Sequence, residues 1–142
     1  MGQAMARAWQ IKYSADEGIV MVEVSGTVNR DDLMTMLAAG IATAREHNIK
    51  QILIDGRQAT IAASPTKLFA LPRLLHEQGL TRGHRVAIVI PGSPEPDEDF
   101  RFLETVFYNR GFSLRLHPEM AQALAWLKQT PSLLTQTDTP EP

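Results

Sequence analysis

The chain of 142 residues contains no cysteine. That absence removes disulfides, thiolate nucleophiles and cysteine-based metal sites together, and it fits a reducing compartment. Long apolar stretches are also missing, since none approaches the ~20 residues that span a bilayer. The segment from Met1 to Arg7 holds no apolar core of a secretory signal, so the cytoplasm is the expected location. Excess charge of one sign is lacking too. A net charge of −2 gives no general attraction to phosphate backbones or anionic lipid, and nucleic acid is not an expected partner. Glycines do not fall in either of the common phosphate-cradling patterns, and there is no strained serine elbow. The four histidines, His47, His76, His84 and His117, are scattered without the spacing of a zinc site, and read as surface or loop residues. No catalytic constellation, metal site or cofactor is expected from these residues, and enzymatic activity is not expected.

What is present suits one globular domain. Hydrophobic residues make up 44% and charged residues 21% of the chain, which is enough apolar surface for a single core. Residues 8–128 carry the periodic patterns of that domain. Residues 1–7, and 129–142 where Thr, Pro, Gln and Asp dominate, are expected to be disordered ends.

The stretch from Ala8 to Ser14 alternates weakly, and Ile19 to Val24 is rich in β-branched residues. Asp16, Glu17 and Gly18 between them read as the turn of an antiparallel hairpin. Leu33, Leu37, Ile41 and Ala44 then recur at helical spacing, predicting a helix from Arg30 to Glu46. Asn29 or Thr27 can cap it, and Asp31 and Asp32 suit the positive end of its dipole. Gln51 to Asp55 is a short apolar run of the kind buried on both faces of a parallel sheet, followed by an apparent linker from Gly56 to Ala63. Ser64 and Pro65 suit the cap and first position of a second helix carrying Leu68, Leu71 and Leu75 up to Gly79, with a kink or late start forced by Pro72.

Arg85 to Ile90 is another buried strand. A third helix, opened by the acidic stretch Ser93 to Asp99 and ended by Gly111, shows one stripe of Phe100, Leu103 and Phe107, widened by Phe102 and Val106. Phe112 to Leu116 alternates as a strand, and Pro118 starts a last helix with Met120, Leu124 and Leu127. The predicted order is β-β-α-β-α-β-α-β-α. This gives an α/β fold with a mixed five-stranded sheet, the first two strands antiparallel and the remaining ones parallel, under about four helices. The segments ending in Asp55 and Ile90 are expected to lie side by side and run the same way.

Five features in this order carry a resemblance: the hairpin Ile19 to Val24 leading through Gly26, Thr27 and Val28 into a helix; Ile52 to Asp55; Val86 to Val89; Asn109 to Phe112; and Ala121 to Leu127. The chain resembles the STAS domain, the fold of the anti-sigma factor antagonists and of the cytoplasmic tails of sulfate transporters. It is most similar to the SpoIIAA-like branch of bacterial proteins, sometimes grouped with lipid-binding SEC14-type domains. The resemblance implies a non-enzymatic interaction or regulatory module whose partner is a protein, either a kinase-like anti-sigma factor or a transporter-linked regulator. A homodimer is a further possibility of an exposed hairpin edge or helix face.

In antagonist members of the family, a serine after the third strand is phosphorylated by the partner kinase. The corresponding position is Ser64, although Asp55 lies nine residues upstream and no glycine follows. Asp55, Thr60, Ser64 and Thr66 are therefore the candidate docking residues, with Ser64 the candidate phosphoacceptor. An ordinary helix cap accounts for Ser64 equally. The alternative function, a carrier of a small apolar ligand, places Phe69, Phe100, Phe102 and Phe107 around a pocket, where plain core packing is the simpler role. Arg82, Arg85, Arg110 and Arg115 can converge on an anion or stand as solvated surface residues. Asp97, Glu98, Asp99 and Glu104 can hold a hard cation or simply complement a helix dipole.

Overall fold

Two long neighbouring strands organise the sheet. The computed structural model describes residues 9–91 and 98–129. In it β1 (Trp9–Ser14) and β2 (Ile19–Val28) form the expected antiparallel hairpin, with Trp9 opposite Val24 and Ser14 opposite Ile19. β2 then pairs in parallel with β3 (Gln51–Ile61), β3 with β4 (Arg85–Val89), and β4 with β5 (Ser113–His117). The strand order is β1-β2-β3-β4-β5, so the segments ending in Asp55 and Ile90 do lie side by side and run the same way. The mixed five-stranded sheet stands as the residue pattern requires. The expected disordered ends and the stretch Ser93 to Asp97 lie outside the described residues, apart from Gln129.

The helix α1 (Arg30–Glu46) occupies the predicted span. Asn29 caps it: its side chain accepts the Asp32 N–H at 2.8 Å, while the Asp32 carboxylate accepts the Asn29 N–H at 3.1 Å. This reciprocal pair satisfies two of the donors that a helix start leaves free. Leu33, Met36, Leu37, Ile41 and Ala44 are all buried against the sheet.

Two features of the second quarter differ from the reading of the sequence. Gly56 to Ile61 is strand and not linker. Gly56, Arg57 and Gln58 interrupt the apolar run, but a bulge opposite Glu23 to Ser25 absorbs the extra residue and pairing resumes through Val28 and Ile61. The second helix is two helices, α2 (Pro65–Phe69) and α3 (Leu71–Glu77), divided at Ala70. Pro72 is the reason: it has no N–H to give to a continuous helix, yet in the first turn of α3 none is needed. Leu68, Leu71 and Leu75 still point inward together, each essentially inaccessible.

In the second half, α4 (Glu98–Asn109) buries Phe100, Leu103, Val106 and Phe107, and Gly111 follows it with a φ of +85°, the left-handed conformation that suits a residue without Cβ. The last helix, α5 (Met120–Leu127), starts two residues after Pro118.

The helices divide unequally between the two faces. One face packs under α1, α2, α3 and α4 and holds the large cluster that includes Val20, Val22, Ile52, Ile54, Val86, Ile88 and Leu114. The other holds a small cluster, Ile19, Leu53, Ala87, Val89, Ala123 and Leu127, beneath α5 alone. An eight-residue helix is about 12 Å long. It cannot cover five strands, and the far ends of β2 and β3 remain open.

Candidate protein-interaction face

Along the open part of this face the strands carry polar side chains, as alternation demands of a sheet with one wet side. Glu23 on β2 stands directly across from Asp55 on β3. Each carboxylate has its own cation: Lys12 Nζ lies 3.3 Å from Glu23, and the Arg57 guanidinium donates to both Asp55 oxygens at 2.9 and 2.8 Å. Gln10 Nε2 also donates to Glu23 at 2.9 Å. The hydrogen bonds from Gln10 and Lys12 hold the Glu23 carboxyl below its ordinary range, and the Arg57 hydrogen bonds do the same for Asp55. Trp9, Gln10, Glu23, Ser25, Asp55 and Gln58 border an open depression of about 540 Å³.

Further along, Thr27 and Thr60 pair side by side and both are exposed. Gly26, opposite Ala59, has a φ of +81°, which bends the end of β2 in a way that a side chain would resist. The Ala62 N–H donates to the Val28 carbonyl at 2.8 Å and ties the outgoing loop to the strand pair. Ser64 then caps α2, its hydroxyl accepting the Lys67 N–H at 3.4 Å, and Ser64 and Thr66 are both exposed. The candidate docking residues thus fall into two groups. Thr60, Ser64 and Thr66 gather at the tip of the β2–β3 arm, while Asp55 lies about 16 Å back along β3, in its ion pair with Arg57. Glu23, Ser25 and Thr27 share the surface and are not identifiable from the sequence, because nothing in it states which residues of β2 and β3 face one another.

The four phenylalanines do not surround a common pocket. Phe100 and Phe107 are core residues, Phe102 packs partly buried against that core, and Phe69 is 54% exposed with the Arg110 guanidinium 5.4 Å from its ring centre. Beneath the helices, the space lined by Leu33, Met36, Ile54 and Phe100 amounts to about 20 Å³, and another lined by Ile41, Leu75 and Phe107 to about 10 Å³. A small-molecule site needs about 300 Å³ or more. The reason lies in the close fit of Leu, Ile and Phe side chains from four helices onto one sheet face.

Among the histidines, His84 lies in the loop before β4, within the surface-or-loop reading, yet is buried. It is 2% exposed and its Nδ1 accepts the Thr81 N–H at 3.0 Å. Burial first, then the positive charges of Lys50 and Arg45, push its pKa down. His117 is partly buried beside the Trp126 ring, and burial followed by Arg115 lowers its pKa as well. His47 stacks on Tyr13 at the surface with ring centres 3.8 Å apart, and His76 is exposed.

Among the described residues no cluster of carboxylates and histidines is arranged to hold a metal ion. Glu104 instead accepts the Leu116 N–H at 2.9 Å. The four arginines separate into two pairs. Arg85 and Arg115 flank Trp126, while Arg82 covers Phe112 and donates to the Arg110 carbonyl at 3.0 Å. No helix among the described residues is long and apolar enough to cross a membrane.

An antiparallel hairpin continued by three parallel strands, with a helix start following the end of the third strand, defines the STAS, or SpoIIAA-like, α/β fold. The solved structures agree. A DUF3478-family protein with a SpoIIAA-like fold from Shewanella loihica PV-4 aligns with a TM-score of 0.54 at 18% identity, covering 89% of this chain and 98% of the other. An anti-sigma factor antagonist from Mycobacterium paratuberculosis aligns at 0.54 and 17% identity, over 85% and 93% of the two chains. The phosphorylated form of the Bacillus cell fate determinant SpoIIAA aligns at 0.50 and 13%, over 85% and 100%. The likeness to these proteins is one of fold. No protein-family model and no curated protein matches the sequence.

Proposed function

We propose that this chain is a non-enzymatic, regulatory protein-interaction module, acting in the cytoplasm through the tip formed by the ends of β2 and β3 and the start of α2. The observation that carries this reading is that Thr60, near the end of the β2–β3 pair, and Ser64 and Thr66, at the helix start that follows it directly in the chain, are all exposed. Small polar side chains on a stiff support give a partner hydrogen-bonding surface at little cost in ordering. Structural neighbours that are anti-sigma factor antagonists support a protein partner of the kinase-like anti-sigma type, with a transporter-linked regulator as the other candidate.

Ser64 is the phosphoacceptor in this reading. Its hydroxyl is exposed and its one hydrogen bond, at 3.4 Å, is long and readily exchanged. A phosphate there adds nearly two negative charges to a surface of hydroxyls beside the exposed Lys67, which changes the complementarity of the tip outright. The test is a photo-cross-linking residue introduced in the native host at Thr66, compared with one at Glu46, exposed at the end of α1 remote from the tip. The reading expects one dominant protein adduct from position 66 and none from 46. Adducts of equal yield from both positions, or none from 66, would overturn it.

A further inference from the structure

A second surface lies at the opposite edge of the sheet. Among the described residues β5 is an edge strand, paired on one side only. The His117 carbonyl faces β4, where it accepts the Ile90 N–H at 3.0 Å. Alternation along the strand therefore turns the backbone groups of Leu114 and Leu116 the other way, away from the sheet. The Leu116 N–H follows this direction and is taken by the Glu104 carboxylate. Leu114, whose N–H and C=O face this way, lines an open groove of about 800 Å³ between α4 and α5.

The walls of this groove have a definite character. Tyr108 on α4 is 76% exposed at one side, and Trp126 on α5 lines the other. Arg85 and Arg115 both lie against the Trp126 ring, at 5.3 and 5.9 Å from its centre, and Arg85 Nη1 donates to the Trp126 carbonyl at 2.6 Å. Neither arginine forms an ion pair with a carboxylate among the described residues. Glu104, the one carboxylate that lines the groove, is already engaged by the backbone of β5. Among the described residues the result is a strand edge with unpaired backbone positions, two arginines without anionic partners and an aromatic ring on either hand.

We propose that the β5 edge takes an extended acidic segment of a partner protein as a sixth strand, with alternate carboxylates on Arg85 and Arg115 and the intervening side chains against Tyr108. Strand addition supplies affinity through the main chain and selects sequence through every second side chain. Charge decides between occupants. A second copy of this chain pairing through the same edge would bring Arg115 toward Arg115, and like charges opposed on neighbouring strands are unfavourable. An acidic peptide meets the same groups with opposite charge, and arginine held beside an aromatic ring is preorganised for a carboxylate.

The probe is a fluorescein-labelled octapeptide of alternating glutamate and valine, titrated with the full chain and read by fluorescence anisotropy at low salt. Its lysine-for-glutamate counterpart should bind about tenfold or more weakly, and Arg115→Glu should weaken the acidic peptide by a similar factor. Arg73→Glu, an equal charge change on α3 remote from the groove, should leave binding unaltered. Two N-methylated peptides then separate strand pairing from simple attraction. Methylation of the amides on one edge should abolish binding, and methylation of those on the other edge should not, because only one edge meets β5. Equal effects of both, no binding of the acidic peptide, or a dimer of this chain that Arg115→Glu alters would each overturn the proposal. The Ser64 surface plays no part in these measurements, so the two readings stand or fall separately.

Discussion

Glu23 and Asp55 face each other across neighbouring parallel strands, two carboxylates in register on the one sheet face that α5 leaves open. They coexist as anions because each is tied to a separate cation, Lys12 to Glu23 and Arg57 to Asp55. The arrangement keeps this face wet, ionic and unsuited to further helix packing.

Removal of one cation exposes the repulsion. In Arg57→Ala, Asp55 loses the side-chain hydrogen bonds that do most to lower its pKa, while the backbone N–H of residue 57 and its partial burial remain. Its carboxyl is expected to rise above the wild-type value, with Glu23 rising less because Gln10 and Lys12 still serve it. A carboxyl-carbon NMR titration reads both. A carboxylate with a depressed pKa contributes stability above the unfolded-state value, near 4, and loses it as pH falls through the folded value. The stability gap between wild type and Arg57→Ala should accordingly be full at neutral pH and close in acid.

His84 gives a pH dependence in a higher window. Its folded pKa is lowered, so the unfolded chain takes up the proton first and stability falls as pH drops below about 6.5. Thermal unfolding should be flat above neutrality and decline below that value. Asparagine at this position retains an acceptor for the Thr81 N–H. His84→Asn should show a shallower decline, with the remainder due to His117, whose pKa is lowered as well. An identical slope in the variant would place the titration elsewhere.

The phenylalanines of α2 and α4 should differ sharply. Phe107 is 1% exposed and Phe69 is 54% exposed. Phe107→Ala is expected to cost about 3–5 kcal/mol of stability and Phe69→Ala less than about 1 kcal/mol. Urea denaturation of both variants measures the contrast, and equal losses would contradict the assignment of Phe69 to the surface.

Sequence periodicity revealed the elements whose own residues determine them. The Asn29 cap and the spacing of Leu33, Leu37 and Ile41 fix α1, and the β-branched run around Ile19 to Val24 fixes the hairpin. What it concealed depends on residues far apart in the chain. Gly56, Arg57 and Gln58 look like a linker until Ser25 to Val28 are seen to pair with the residues that follow them. His84 resembles a loop histidine because its burial comes from tertiary packing, not from its neighbours. Capping chemistry beside Pro65 made Ser64 legible as a helix cap, whereas its place in the candidate site, with Thr60 and Thr66, comes from the family resemblance and not from the residue pattern. The facing of Glu23 and Asp55 was not legible, since a register between strands joined through a helix leaves no local trace.

In the proposed function, charge at the β2–β3 tip governs docking. With a photo-cross-linker at Thr66 in the native host, the yield of the partner adduct should be retained in Ser64→Ala, which leaves the charge of the tip unchanged and loses only a cap of about 1 kcal/mol. It should drop about tenfold or more in Ser64→Glu, which introduces a negative charge at that position. Equal adduct yields from the alanine and glutamate variants would contradict the account.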